Sequence, residues 1–327
     1  MTTNSSEKQE YLMQDLELTI LGSSSAIPVG NRSPTAQFLT LSGRHFLIDC
    51  GEGTQVKLRQ HNIGFGRINH IFISHLHGDH FYGLVPLLTS LHLLDREKEM
   101  HLYGPEDLEQ AVKAMLDLSG ARLRFPLIFH HTSPNSKKRI FEDEALKVYS
   151  FPLKHSMPCC GFLFEEKPRP RNMRKDKLEE YNIPVAEIRS IKKGANWENE
   201  NGEEIANEEL TTAAPDPLSY AFCTDTAPVK DLDQYFQNPD LLYHEATFTE
   251  ELKKRAKQTQ HSTAQQAASI AHLVKARHLL LGHFSVRFND LTPLQEEAAA
   301  VFKNSYLALE GHTFRLNRKS KELEINA

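Results

Sequence analysis

His75, His77, Asp79 and His80 crowd into one short stretch, HIFISHLHGDH, and carry the strongest chemical signal in the chain. Imidazole nitrogens and carboxylate oxygens are borderline ligands that suit a divalent cation such as zinc. His75 and His77 point the same way if the backbone stays extended, because alternate side chains share a face. Gly78 then permits a sharp turn that brings Asp79 and His80 to a second position nearby. One loop can thereby serve two adjacent metals. The competing reading is a solvated histidine-rich loop, and the apolar run directly ahead of the cluster argues against it.

Such a loop needs a buried strand beneath it, and HIFIS at 70–74 supplies one. Around it, LELTIL at 16–21 predicts a first strand, followed by a loop rich in Gly, Ser and Pro. QFLTLSG and RHFLIDCGEG predict two strands joined at Ser42 and Gly43. A helix is expected over 53–61, a longer buried one over 81–97, a strand at MHLYG and a helix over about 105–118 with Pro105 near its start. ALKVYSFPLKH and CGFLFEE are β-rich. Residues 165–216 are polar and charged, without clear periodicity, and read as an inserted arm. The β pattern returns in LSYAFCTDT and DLLYHEAT, then a helix in HSTAQQAASIAHLVKA and a strand in RHLLLGHF. TPLQEEAAAVFKN predicts a last helix, with Thr292 as its cap and Pro293 at its first position. Strands with tight turns followed by strand–helix units occur twice, which predicts an α/β protein of two sheets with helices outside them. Residues 1–15 read as a polar tail and 16–327 as one domain carrying the arm.

The bulk composition narrows the class. Hydrophobic residues at 39% and charged residues at 25% describe an ordinary globular chain, not a disordered one. The net charge of −5 excludes an overall basic nucleic-acid binder, so any RNA contact must come from a local patch. Cys50, Cys159, Cys160 and Cys223 are too few and too uneven for a disulfide framework, and Cys159, Cys160 and Cys223 read as small buried residues. No apolar stretch is long enough for a membrane span, and the N-terminus lacks the apolar core of a secretory signal. A cytoplasmic protein with no membrane partner is expected.

The HxHxDH pattern of His75 to His80 resembles the hallmark of the metallo-β-lactamase superfamily. That resemblance implies an αββα sandwich and three further ligands in order: a histidine, a bridging aspartate and a last histidine. His155 in SFPLKHSMPCCGF, Asp225 in YAFCTDT and His283 in LLLGHFSVRF match them. One metal would take His75, His77 and His155, the other Asp79, His80 and His283, with Asp225 between. Two zinc ions per subunit are implied, with manganese or iron as alternative occupants. Such a pair, about 3.5–4 Å apart, can clamp an in-line displacement at phosphorus and lower the pKa of a shared water toward neutrality. Asp79 would partner that water, and Glu245 and His261 are candidates to protonate the leaving ribose oxygen.

Further segments resemble one family in particular. LGSSSAIPVGNRSPTAQFL, IDCGEGTQVKLRQ, IFISHLHGDHFYGLVPLL, LLYHEATF, HSTAQQAA and GHFSVRF look like ribonuclease Z, the tRNA 3′-processing endonuclease, from about residue 17 to about residue 317. The resemblance implies an endoribonuclease that removes the 3′ trailer of precursor tRNA by metal-assisted water attack. It gives Glu245 of the HEAT run and His261 of HSTA roles in proton transfer, and it implies a homodimer with no nucleotide cofactor. It also implies that the arm holds the body of the tRNA. Lys167, Arg169, Arg171, Arg174, Lys175 and Lys177 open that arm and could bind phosphates by charge, and Pro168 and Pro170 would stiffen its exit. Arg32 and Arg287 are further candidates for phosphate contacts, and Asp49 and Gly51 could support the ligands from behind. The chain departs from the family's pattern in the arm, where IPVAEI at 183–188 lacks a Gly-Pro pair. Glu198, Glu200, Glu203, Glu204, Glu208 and Glu209 make the arm's far side acidic, and the first loop carries Ser23-Ser24-Ser25 in place of mixed Gly and Thr. Two rivals share the ligand set: a phosphodiesterase for a small ester such as a cyclic nucleotide, and a di-iron redox protein.

Overall fold

A computed structural model describes residues 15–30 and 32–327, so the polar tail expected at 1–15 lies, apart from Asp15, outside the described residues. The chain divides into two compact units, one running to Glu165 and resuming at Leu218–Ala327, the other Glu166–Pro217.

The larger unit is built on two mixed sheets. The first has eight strands in the order Leu323–Asn326, Thr313–Leu316, Leu16–Gly22, Ala36–Leu41, Arg44–Cys50, His70–Phe72, Met100–Gly104 and Leu127–His131. The second has seven: Ser305–Leu307, His278–Gly282, Leu241–Glu245, Ser219–Cys223, Cys160–Glu166, Leu146–Pro152 and Lys138–Glu142. Alternation within the strands separates the layers. Phe46, Ile48 and Phe72 turn toward the second sheet, where Phe46 meets Phe164 at 5.2 Å and Phe72 meets Phe162 at 5.4 Å between ring centroids. Leu47, Ile71 and Leu102 turn the other way and pack under Leu58, Leu84, Leu88 and Val112 of outer helices. Leu163, Ala221, Leu242 and Leu279 of the second sheet likewise pack under Ala264, Ala268, Leu294 and Ala298. The result is a helix–sheet–sheet–helix sandwich. Among the described residues no helix is long and apolar enough to cross a membrane.

Several local expectations are corrected. The helix expected over 81–97 is two, Gly78–Phe81 and Leu84–Leu93. Gly83 lies at the break because a side chain there would collide with the Gly51 carbonyl. Thr292 does not cap the last helix. It is the first residue of Thr292–Ala299, with Leu291 at the cap position and Asp290 Oδ1 accepting from the Thr292 amide at 2.9 Å. The helix expected from His261 starts at Ala264, where Thr263 and Gln266 form a reciprocal capping box, and so leaves His261 outside it. The edge strands Leu127–His131 and Lys138–Glu142 carry no clean alternation of burial, which hides them in the sequence.

The smaller unit is ordered. Helices Lys175–Glu180, Val185–Ile191 and Asn207–Leu210 and two short strand pairs surround a core of Ile183, Ile191, Trp197, Ile205 and Leu210. The buried Asn207 amide ties it together by donating to Ile191 O at 2.6 Å and Ala195 O at 2.7 Å. Helices of four to seven residues are too short to show an apolar period, so the segment reads as featureless.

Candidate active site

The candidate ligands leave the ends of four strands. His75 and His77 follow His70–Phe72 in extended backbone, and the chain then enters the helix Gly78–Phe81, which carries Asp79 and His80. Gly78 is not at a left-handed turn. The Tyr82 ring packs where its Cβ would be. His155 follows Leu146–Pro152, Asp225 follows Ser219–Cys223, and His283 follows His278–Gly282.

All seven groups converge: His75, His77, His155 and Asp225 form one cluster and Asp79, His80 and His283 another, with Asp225 within reach of His80 and His283, and of His261 beside them. In one, His77 Nδ1 lies 3.0 Å from His75 Nε2 and 3.2 Å from His155 Nε2, and Asp225 Oδ2 is 3.6 Å from each of those Nε2 atoms. In the other, Asp79 Oδ2 is 3.5 Å from His80 Nε2 and from His283 Nε2, and Asp225 Oδ1 is 3.3 and 3.0 Å from them. A tetrahedral zinc with bonds of 2.0–2.1 Å spaces its ligands by about 3.3 Å, so both clusters have the spacing that such an ion requires. His80 Nε2 and His283 Nε2 are buried without an aligned hydrogen-bond partner, as nitrogens directed at a common centre would be.

The outward nitrogens are held by other groups, which fixes each ring. Ser74 Oγ lies 3.0 Å from His75 Nδ1, Gln260 O lies 3.2 Å from His155 Nδ1, and Thr247 Oγ1 lies 3.0 Å from His283 Nδ1. Asp49 Oδ2 lies 2.7 Å from His80 Nδ1, and the same carboxylate accepts from the Ser74 amide at 2.8 Å. Asp49 has φ 55°, so it makes a tight turn and supports a ligand at once. Gly51 is required because a Cβ there would press on the Asp79 carbonyl. The Ala26 amide donates to Asp79 Oδ2 at 2.7 Å.

Electrostatics favour a cation. Burial holds His75 well below the usual imidazole value and lowers His77 and His155, which keeps their lone pairs free. Burial opposes charge on His80 too, yet Asp225, Asp49 and Asp79 together raise it well above that value. Three carboxylates around one buried imidazole call for positive charge.

Beside the clusters lies a cavity of about 680 Å³, whose walls include His77, Asp79, His155, Asp225, His261 and His283. Glu245 is not in its wall. This carboxylate is wholly buried and accepts from the amides of Thr226 and Thr247, from Thr247 Oγ1 and from His261 Nδ1, the last at 2.8 Å. Burial alone would lower His261, but Glu245 raises it to about 9. His261 thus lines the cavity, and Glu245 stands behind it. Sequence reasoning missed Thr247 and the Ala26 amide. Thr247 follows Glu245 and Ala246 directly, so its place in the HEAT run was the available signal.

The basic candidates are dispersed. Arg32 Nη2 donates to Phe288 O at 2.8 Å, and Arg287 is exposed beside His261 in a second cavity. In the smaller unit most of the basic run is engaged. Arg169 pairs with Glu166 at 3.0 Å, Arg171 donates to Thr211 Oγ1, and Arg174 pairs with Asp176 at 2.8 Å. Lys177 pairs with Glu180 and with Glu209, so Glu209 faces the basic run and not an opposite acidic side. Lys175 is exposed and Lys167 half-buried.

A sandwich of this order, with histidines and aspartates gathered at the strand ends, is a metallo-β-lactamase fold. The metallo-β-lactamase fold protein YhfI from Bacillus subtilis superposes with a TM-score of 0.64 over 92% of this chain and 99% of its own at 16% identity, a likeness of fold alone. A family model described as Anti-Pycsar protein Apyc1 matches residues 16–169. Ribonuclease Z of Bacteroides fragilis (strain YCH46) is 44% identical over 298 residues, 91% of this chain and 98% of the relative. Human tRNase Z, short form, superposes with a TM-score of 0.68 at 27% identity, covering 91% of this chain and 98% of the human one. The chain belongs to the ribonuclease Z family.

Proposed function

We propose that the protein is a cytoplasmic endoribonuclease that removes the 3′ trailer of precursor tRNA, with two zinc ions per subunit, or manganese or iron in their place. The observation that carries this reading is Asp225, which offers one oxygen to each of two ligand clusters beside the hydrogen-bonded pair of His261 and Glu245. His75, His77 and His155 would hold one ion and Asp79, His80 and His283 the other, with Asp225 to both. Bound there, the two cations would neutralise charge growing on the phosphoryl oxygens and lower the pKa of water. Asp79, in the cavity wall, takes the proton of the attacking water at its other carboxylate oxygen, Oδ2 being turned to the cluster. His261, held at Nδ1 by Glu245, gives its other proton to the leaving 3′ oxygen. Glu245 therefore acts as a positioning residue through His261.

The arm would hold the tRNA body, with Lys167, Arg169, Arg171, Arg174, Lys175 and Lys177 exchanging their present partners for phosphates. Arg32 and Arg287 would meet phosphate near the cut, and the enzyme would work as a homodimer. The test is incubation with an end-labelled precursor tRNA and mapping of the cut to the nucleotide. A single cut at the 3′ end of the tRNA body is expected. Turnover of bis(p-nitrophenyl) phosphate without any cut in the precursor would instead favour a small-ester phosphodiesterase, and stoichiometric iron without zinc in the purified protein would favour a redox role.

A further inference from the structure

Tyr82 follows the helix Gly78–Phe81 and continues its turn, at φ −63° and ψ −20°. It stands three positions on from Asp79 and four from Gly78, on one face of a single turn, where side chains lie about 5–6 Å apart at Cβ. The Tyr82 ring rests on the Gly78 backbone, in the space a Cβ would fill. A glycine in the middle of the ligand loop thus makes room for an aromatic ring. This packing does not bury the ring. Tyr82 is 61% exposed, its hydroxyl has no hydrogen-bond partner among the described residues, and it lines the cavity beside the ligand clusters. Ile27, 55% exposed, lines the same cavity with Pro28 and Pro34. Among the described residues no lysine or arginine lines it, and Glu52 adds a negative charge to its wall. Away from the ligand clusters such a wall repels phosphate and offers apolar surface. At about 680 Å³ the cavity falls within the range of about 300–1,000 Å³ for pockets that enclose whole small molecules, so it has room for more than a phosphodiester.

We infer that this wall receives a nucleobase, and that Tyr82 stacks on the base of a nucleotide next to the cut. The inference rests on the proposed cleavage of precursor tRNA. Asp79 belongs to a ligand cluster, so the scissile phosphodiester lies beside it. A ring on the same helical turn as Asp79 is within reach of a base that flanks that bond. Unpaired RNA bases are held by stacking on aromatic side chains, and an exposed, propped ring beside a wall without cations suits a base and not the phosphate backbone. Every base has a π-face, so the contact holds the strand without selecting its sequence.

The test uses the full protein and a set of precursor tRNAs, each abasic at a single nucleotide close to the cut, on one side or the other. Tyr82→Leu keeps an apolar side chain over Gly78 but has no π-face. It should raise KM for the unmodified precursor by about tenfold, within what stacking on an aromatic residue supplies, with kcat little changed. Tyr82→Phe, which keeps the ring, should restore KM. At one abasic position the wild type should show the same tenfold rise, and Tyr82→Leu should add nothing to it. At the other positions the two effects should multiply. An unchanged KM in Tyr82→Leu, or effects that multiply at every abasic position, would overturn the inference while leaving the cleavage reading intact. So would lost metal or a lowered melting temperature in Tyr82→Leu, which would make the ring a support of the ligand loop, or a change in its gel-filtration mass, which would assign the ring to a subunit contact. Failure of the wild type to cut the unmodified precursor would remove both.

Discussion

Glu245 Oε1 lies 2.8 Å from His261 Nδ1, in a carboxylate that is wholly buried and has every other lone pair engaged by Thr226 and Thr247. Glu245 does not line the cavity and His261 does, and Glu245 is the largest of the charges that favour the protonated imidazole, with Asp225 adding to it.

That division predicts the effect of Glu245→Gln on the pH profile. Against burial, Glu245 raises His261 from 6.5 to about 9. A raised imidazole stabilises the fold fully below 6.5, and that contribution fades as the pH passes about 9. In Glu245→Gln, burial is opposed only by the smaller pull of Asp225, so the acid form should be lost at a lower pH than in the wild type. The alkaline limb of kcat, followed between about pH 6 and 10, should move down by at least about one unit. A limb that stays in place would remove the acid role of His261.

Legibility followed the distance over which a contact is made. The loop from His75 to His80 could be read directly because its spacing, strand then helix, puts four candidate ligands in one place. His155, Asp225 and His283 were single residues at strand ends, and only the likeness to a known family lifted them above ordinary turn residues. The Ala26 amide reaches Asp79 across 53 positions through backbone, so no side-chain pattern could announce it. The arm's core was hidden for a different reason: Ile183, Ile191, Trp197, Ile205 and Leu210 belong to elements too short to repeat. The same shortness made Lys177 and Glu209 look like opposite faces when they are partners.

Asp49 separates backbone strain from charge. Its φ of 55° is a conformation that Asn tolerates nearly as well as Asp, whereas Ala does not. Asp49→Asn should therefore keep the fold within about 1 kcal/mol but weaken metal binding by about ten- to hundredfold, since His80 loses its anionic partner. Asp49→Ala should lose the same affinity and a further 1–2 kcal/mol or so of stability, from strain and from the unsatisfied Ser74 amide. Metal competition with a chromogenic chelator and thermal unfolding distinguish the two. Equal destabilisation by both would show that charge, not turn geometry, holds the segment.

Asp225→Asn tests the shared carboxylate. The amide keeps one oxygen but offers nitrogen in place of the other, so one cluster loses a ligand. Elemental analysis after gel filtration should fall from two metals per chain to about one, and turnover of either substrate by about a hundredfold or more. Asp79→Ala should abolish turnover while leaving precursor tRNA binding largely intact, if Asp79 takes the proton of the attacking water as proposed. Two tightly held metals in Asp225→Asn, or loss of RNA binding in Asp79→Ala, would count against these roles.

The arm can be removed with little harm to the sheet that carries it. Ser219 pairs with Glu165 in the antiparallel ladder between Ser219–Cys223 and Cys160–Glu166, so the two ends of the insertion are already neighbours. A hairpin loop of about two to five residues can join them. Replacing residues 166–214 with such a loop should leave the helix–sheet–sheet–helix sandwich and its ligand clusters folded, since the arm's apolar residues form a core of their own. Hydrolysis of bis(p-nitrophenyl) phosphate should then persist at close to its full rate, while KM for precursor tRNA should rise by about a hundredfold or more as its phosphate contacts are lost. Thermal unfolding of the shortened protein provides the control. Equal loss on both substrates, with the fold intact, would mean that the insertion supports the centre and does not hold RNA.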